Sequence, residues 1–289
     1  MNHYYIVSDS CLDFSPEEIK AKEVSLVPIN TVMNDIEYGL NREQISLEDF
    51  FQKIKEGERP TTVAANPSDY QDFFEKLLKE GKDFLYIAFS SGLSSSYANA
   101  RLAINDLQKA YPDRKIGLVD SRSAATIQSL VLDMALSQQA KGKTMDQVIA
   151  YLEENIPYTK VEFIIDDLFH LERGGRISKT KAIFGTALRV VPILSMDQEG
   201  KLYLSNSVRG RKKAVRTLLS NLKENMDSSI YDEVYVSYSS SREEALSLKE
   251  AIEELGISKV HVYEMSLTIA AHTGPGCLIL AYGSKKKRD

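Results

Sequence analysis

Seven residues, Ser90-Ser91-Gly92-Leu93-Ser94-Ser95-Ser96, carry five hydroxyls between the apolar run 84–89 and an amphipathic segment beginning near Ser94. If the run is a strand of a parallel sheet and the segment a helix, this loop sits at the carboxyl end of the strand, where such sheets bind ligands. The first turn of the helix there offers free N–H groups and the positive end of its dipole, which suits a carboxylate or a phosphate. Capping by one serine, with the others solvated, is the plain structural alternative, although five serines exceed what one cap requires. Pro60-Thr61-Thr62-Val63-Ala64-Ala65-Asn66-Pro67-Ser68 is a second hydroxyl-bearing loop ahead of a helix; alone it reads as a turn and a cap.

His272-Thr273-Gly274-Pro275-Gly276 sets an imidazole beside a rigid turn that lets backbone approach a ligand closely. The commoner role of a lone histidine is structural, with one ring nitrogen satisfied by a nearby carbonyl. His3, His170 and His261 have no second histidine or cysteine at ligand spacing, so no metal site is expected. Leu171-Glu172-Arg173-Gly174-Gly175-Arg176-Ile177-Ser178 brings two guanidinium groups together across a glycine pair, either for an anion or as a solvated turn paired with Glu172 or Asp167. The densest interior basic patch is Val208-Arg209-Gly210-Arg211-Lys212-Lys213-Ala214-Val215-Arg216, and no G-x-x-x-x-G-K-[ST] loop accompanies it.

These groups sit in a chain of 289 residues, 43% hydrophobic and 27% charged, the composition of a folded protein of one large or two modest domains. With 36 Lys plus Arg against 41 Asp plus Glu, the net charge of −5 gives no reason to expect nucleic-acid or broad membrane-surface binding. Any anionic partner must be held locally. Cys11 and Cys277 are the only cysteines, which argues against a disulfide framework or structural zinc. The opening MNHYYIVSDS has no basic region followed by an apolar one, and no apolar run approaches the ~18 residues of a membrane span, so the cytoplasm is the expected compartment.

Apolar runs and helical patterns alternate through the first half. Tyr4-Tyr5-Ile6-Val7 reads as a strand, and Ser15-Pro16-Glu17-Glu18 as a capping box with proline in the first turn. Tyr70, Phe73, Phe74, Leu77 and Leu78 follow helical spacing up to Gly81. Strands at 84–89 and 116–119 enclose a helix from about 94 to 107, and helices follow at about 124–140 and 145–155, the last opened by a Thr144 to Gln147 capping box. That order implies a parallel sheet. Beyond a boundary at Ile156-Pro157-Tyr158, a strand at 161–165 and a helix at 181–190 precede a hairpin of 191–196 with 201–205 across Asp197-Gln198-Glu199-Gly200. Helices at about 212–225 and 241–255 flank a strand at 233–238, before apolar segments at 260–263 and 278–282. The expected architecture is α/β with two domains: residues 1–158 with a parallel sheet, and residues 159–289 as α+β.

Taken in order, Val7-Ser8-Asp9-Ser10, the 60–68 loop, the 90–96 loop, residues 171–178, residues 208–214 and residues 272–276 resemble the DegV family of bacterial fatty-acid-binding proteins. That family includes the binding subunits of the fatty acid kinase system. The likeness spans nearly the whole chain, and Arg-Gly-Gly-Arg-Ile-Ser with His-x-Gly-Pro-Gly makes it specific. It implies a two-domain DegV-like fold with an acyl chain buried between the lobes and its carboxylate held by Thr62, Ser94 and His272. Ser91, Ser95 and Arg173 are further candidates for the polar shell around it. Val63-Ala64-Ala65-Asn66 and Ser95-Ser96 depart from the family's usual Ser-Gln-Pro-Ser and Gly-Thr.

The resemblance further implies a carrier, not an enzyme, whose ligand is a long-chain fatty acid and which needs no cofactor. Its partner is a separate ATP-dependent fatty acid kinase, and the product carried is the acyl phosphate. The concentration of basic charge at Arg209, Arg211 and Lys212 in an otherwise acidic chain is the expected docking site for that kinase, Arg209 foremost. Transient membrane contact is compatible with this role. The competing reading is a serine hydrolase or acyltransferase with Ser94 as nucleophile and His272 as base. Against it, the loop has no G-x-S-x-G elbow and no acid can be assigned as third member. Regulation of nucleic acid through residues 209–216 lacks a recognisable DNA-binding motif.

Overall fold

The protein is described by a computed structural model covering residues 4–40, 43–178 and 190–289. β1 (Tyr4–Asp9) leads to α1 (Pro16–Ala21), where the Ser15 hydroxyl accepts from the Glu18 amide and the Glu18 carboxylate accepts from the Ser15 amide. After β2 (Ser25–Val27), β3 (Asn30–Met33) and β4 (Ile36–Tyr38) form a hairpin whose turn residues, Asn34 and Asp35, both have positive φ. α2 (Leu47–Lys55) precedes β5 (Thr61–Val63), and α3 (Pro67–Lys79), β6 (Asp83–Ala88), α4 (Ser96–Ala110), β7 (Ile116–Asp120), α5 (Ala125–Ala140) and α6 (Met145–Asn155) follow.

One turn of 3-10 helix at Ile156–Tyr158 enters β8 (Thr159–Ile164) and α7 (Phe169–Arg173). The helix expected over 181–190 lies outside the described residues except at Val190, which begins β9 (Val190–Met196). The expected hairpin is present and longer than read, because β10 (Leu202–Arg209) pairs with β9 as far as Arg209 with Val190. α8 (Arg211–Asn225), β11 (Val234–Tyr238), α9 (Arg242–Glu253), β12 (Val260–Glu264), α10 (Leu267–Thr273) and β13 (Leu278–Gly283) complete the chain.

The described strands form a parallel sheet ordered β2-β1-β6-β7, a mixed sheet ordered β10-β9-β8-β13-β11-β12, and a small antiparallel sheet ordered β4-β3-β5. The first two match the expected division into a parallel sheet with helices and a mixed α+β half. The small sheet was not anticipated from the sequence.

Alternation along the strands sorts side chains into layers. Phe84, Tyr86 and Ala88 of β6 pack under α3 and α4, whereas Leu85 and Ile87 point to the opposite face. Leu278, Leu280 and Tyr282 of β13 pack under α8 and α9, whereas Ile279 and Ala281 face inward. Both inward faces belong to one hydrophobic cluster, and α5 lies within it, packed on β8, β11 and β13. Every residue from Ala125 to Ala135 is therefore buried, as expected of a helix enclosed on all sides. The burial crosses the turn at residues 156–158, so the two large sheets share one core. α10 contacts β3, β5 and α7, which closes one end of the space between the sheets.

Candidate ligand site

That space contains a cavity of about 460 Å³, within the range of small-molecule sites. Phe89 and Leu93 wall it from the first half of the chain, and Val161, Phe163, Met196 and Ile279 from the second. Its polar groups come from several elements, the principal ones being Thr62 of β5, Ser94 and Ser95 before α4, His272 of α10 and Arg176 beyond α7.

Thr62 Oγ1 and His272 Nε2 lie 2.9 Å apart. Burial, with the charges of Arg176 and Arg173 adding to it, lowers the His272 pKa to about 4. The ring is thus neutral near pH 7 and offers one donor and one acceptor. Two glycines allow this placement. A Cβ on Gly174 would stand 2.5 Å from His272 Nδ1, and one on Gly274, at φ +72°, would stand 2.5 Å from His170 Cδ2. The His-Thr-Gly-Pro-Gly turn and the α7 segment are packed backbone against imidazole, which no larger residue permits.

The serine loop divides its labour. Ser90 is buried, donates its hydroxyl to the Gly200 carbonyl at 2.8 Å, and accepts the amides of Leu93 and Ser94 at its own carbonyl. Ser94 Oγ accepts from the Ser96 amide at 3.2 Å and lies 2.9 Å from Ser96 Oγ, so it helps close the first turn of α4 while lining the cavity. Helix α4 accordingly begins at Ser96, two residues later than the expected start. Ser95 also lines the cavity. Ser91 does not. It is exposed, its amide is held by Asp120, and it borders a surface depression with Arg122 and Lys201.

The two arginines both act on His272 through their charge, but only one of them lines the cavity. α7 ends at Arg173, and Gly175, at φ +70°, redirects the chain. Arg173 is exposed, with its guanidinium over the Phe169 ring, and does not line the cavity. Arg176 does. Its Nε donates to the Leu93 carbonyl at 3.2 Å, its Nη1 donates to the Gly174 carbonyl, and burial lowers its pKa while leaving it charged. Reading the two arginines as one cluster missed this asymmetry; the glycine pair, as a turn signal, was the cue that they part.

The basic patch also resolves into different roles. Arg211 forms a two-pronged ion pair with Glu244 and a second with Asp166, so this half-buried residue, expected at a docking surface, is already paired with two carboxylates of the same chain. Arg209 ends β10 and Lys212 lies in the first turn of α8, and both are exposed. For acyl transfer, Ser94 Oγ faces Ser96 rather than His272, His272 Nε2 faces Thr62, and no Asp or Glu lines the cavity among the described residues. That is not the nucleophile–base pair a hydrolase requires. Among the described residues, no group of three metal-ligating side chains occurs, and no helix is long and apolar enough to cross a membrane.

Residues 3–285 match the sequence profile described as an uncharacterised protein of the DegV family. The chain belongs to the DegV family. It is 33% identical over 288 residues to the DegV domain-containing protein YteA of Lactococcus lactis, an alignment covering 99% of each chain. Among solved structures, it is similar to a DegV family protein from Thermus thermophilus described for its fatty acid binding, with 27% identity, a TM-score of 0.85, and coverage of 97% of this chain and 99% of that one. It is also similar to DegV of Bacillus subtilis, described as a fatty acid binding protein, with 25% identity, a TM-score of 0.83 and coverage of 99% and 100%. The parallel sheet with its helices and the mixed sheet that follows it are thus the DegV fold.

Proposed function

We propose that this protein binds one long-chain fatty acid, with the acyl chain in the cavity between the sheets and the carboxylate at the end formed by Thr62, His272, Ser94 and Arg176. The observation that carries this reading is the distribution of polarity in one cavity. Its walls are aliphatic and aromatic, and its hydrogen-bonding groups gather from separate elements, with Thr62 and His272 already in contact. At ~0.8 kcal/mol per buried methylene, a long chain contributes a gross ~10 kcal/mol, against ~1.5–3 kcal/mol for each hydrogen bond to a charged group. The tail supplies affinity and the polar end supplies orientation. The Thermus and Bacillus relatives, described as fatty acid binding, support the same assignment.

In this reading the protein is a carrier. It presents the carboxylate to a separate kinase, which brings the nucleotide and metal that phosphoryl transfer requires, and then holds the acyl phosphate. Arg209 and Lys212 are the docking candidates, because both are exposed while Arg211 is engaged with Glu244 and Asp166. Denaturing mass spectrometry of protein purified without added lipid should show a fatty acid at one equivalent, and delipidated protein should rebind one. Absence of both would end the carrier reading. Arg209→Glu should leave fatty-acid affinity unchanged and slow acyl-phosphate formation with the cognate kinase, as should added salt for the wild type. Phosphorylation of the variant at the wild-type rate across carrier concentrations would remove Arg209 from the docking surface.

A further inference from the structure

Arg288 is 2% exposed, and the partners of its guanidinium are neutral. Nε donates to the Thr159 carbonyl at 2.8 Å, Nη2 to the hydroxyls of Thr159 at 2.6 Å and Ser123 at 2.9 Å, and Nη1 to the Arg122 carbonyl. A buried cation whose hydrogen bonds go to neutral oxygens, with the carboxylates of Asp197 and Asp120 acting on it only through their field, is a costly way to gain stability, since a well-packed apolar residue serves as well. Its value lies in geometry: a planar fork fixes several oxygens at once, which neither lysine nor an apolar side chain can do.

The oxygens that it fixes lead to the ligand site. Ser123 accepts the Ser90 amide at its carbonyl at 2.9 Å, and the Ser90 carbonyl accepts the Ser94 amide at 3.2 Å. The next residues, Ala124 and Ala125, line the cavity. Arg122 and Ala125 adopt φ of 46° and 55°, a left-handed conformation unfavourable for residues with a side chain, and such backbone persists only where its surroundings hold it. The loop between β7 and α5 is held from below by Arg288 and itself holds the serine loop above.

We infer that Arg288 is a positioning residue for the carboxylate end of the site, acting through Ser123 and Ser90 on the backbone that presents Ser94. This rests on the fatty-acid reading above, and its test separates the two. Arg288→Gln, Arg288→Lys and Ser123→Ala are titrated with a fatty acid and with the fatty alcohol of the same chain length, and amide hydrogen exchange of residues 90–94 is followed in each ligand-free protein.

The expected result for Arg288→Gln is a loss of about tenfold in affinity for the acid, with the alcohol changed by less than about threefold and exchange at Ser90 and Ser94 accelerated. Arg288→Lys should restore little, because it lacks the fork. Ser123→Ala, which removes one acceptor of the fork and no charge, should move both readouts in the same direction by less. Equal losses for acid and alcohol, or unchanged exchange at residues 90–94 in folded variants, overturns the positioning role. If Arg288→Gln does not fold, Ser123→Ala decides by the same criteria. If the wild type binds neither ligand, the fatty-acid reading fails, and the exchange measurement alone decides whether Arg288 holds the serine loop.

Discussion

Thr62 and His272 are 210 positions apart in sequence and 2.9 Å apart in space. Each was singled out by the resemblance to the DegV family, since alone the 60–68 loop reads as a turn and a cap and a lone histidine as structural. Their contact was not legible, since it depends on β5 and α10 packing at one end of the cavity. Thr62→Val and His272→Ala should each weaken fatty-acid binding by about 1–3 kcal/mol, the cost of leaving a buried charged acceptor short of a partner. Titration of the acid against its methyl ester tests this, and equal losses for both would mean that the residues only shape the cavity. Arg176 makes a second, separable prediction. Its charge is one cause of the low His272 pKa, after burial, so Arg176→Gln should raise that pKa from about 4 while leaving it below the ordinary 6.5. Following the ring proton by NMR against pH measures the shift, and an unchanged His272 would place Arg176 outside its field.

At the scale of elements, strong local signals transferred to the structure and weak ones did not. The capping boxes at Ser15 and Thr144 start their helices as read, because both partners lie within four residues and need no tertiary context. The small sheet was missed because strands of three or four residues are too short to show alternation. Asn34-Asp35, with both residues at positive φ, was the available hairpin signal. Arg176 was obscured for a related reason: only a turn at Gly175 decides which arginine faces inward. Packing between elements gives a further test at Gly174. Its own φ of −71° suits alanine, so Gly174→Ala would be harmless but for the imidazole 2.5 Å from the new Cβ. The variant should lose about 1–3 kcal/mol of stability through overpacking and should also lose its preference for the acid over the methyl ester as His272 is displaced. Thermal unfolding and the paired titrations read the two effects, and an unaffected ligand preference would show that the helix, not the ring, gives way.

On the scale of the molecule, the shared core places titratable groups where water does not reach. Asp13 is 4% exposed, accepts the Ser266 amide at 2.9 Å, and has a pKa raised to about 7 by burial. A carboxyl with a raised folded-state pKa binds its proton more tightly when folded. Its contribution is complete below the unfolded value near 4 and is lost as pH rises through 7. Relative to Asp13→Asn, the wild type should therefore lose stability between about pH 4 and pH 7, by at most on the order of 4 kcal/mol, and change little above pH 8. Denaturant unfolding of both proteins across that range checks the sign, and a difference that grows with falling pH would contradict it.

The placement of α5 inside a core common to both large sheets, with Ala124 and Ala125 on the cavity wall, ties the molecule's endurance to its contents. A guest that fills the space acts as a removable part of the interior, and a ligand held only by the folded form stabilises it by about 4 kcal/mol at a thousandfold excess over its dissociation constant. Cargo supply then becomes a determinant of lifetime. On the fatty-acid reading proposed above, proteolysis of transiently opened molecules would clear the emptied protein first, and the amount that survives would record how much lipid has been available.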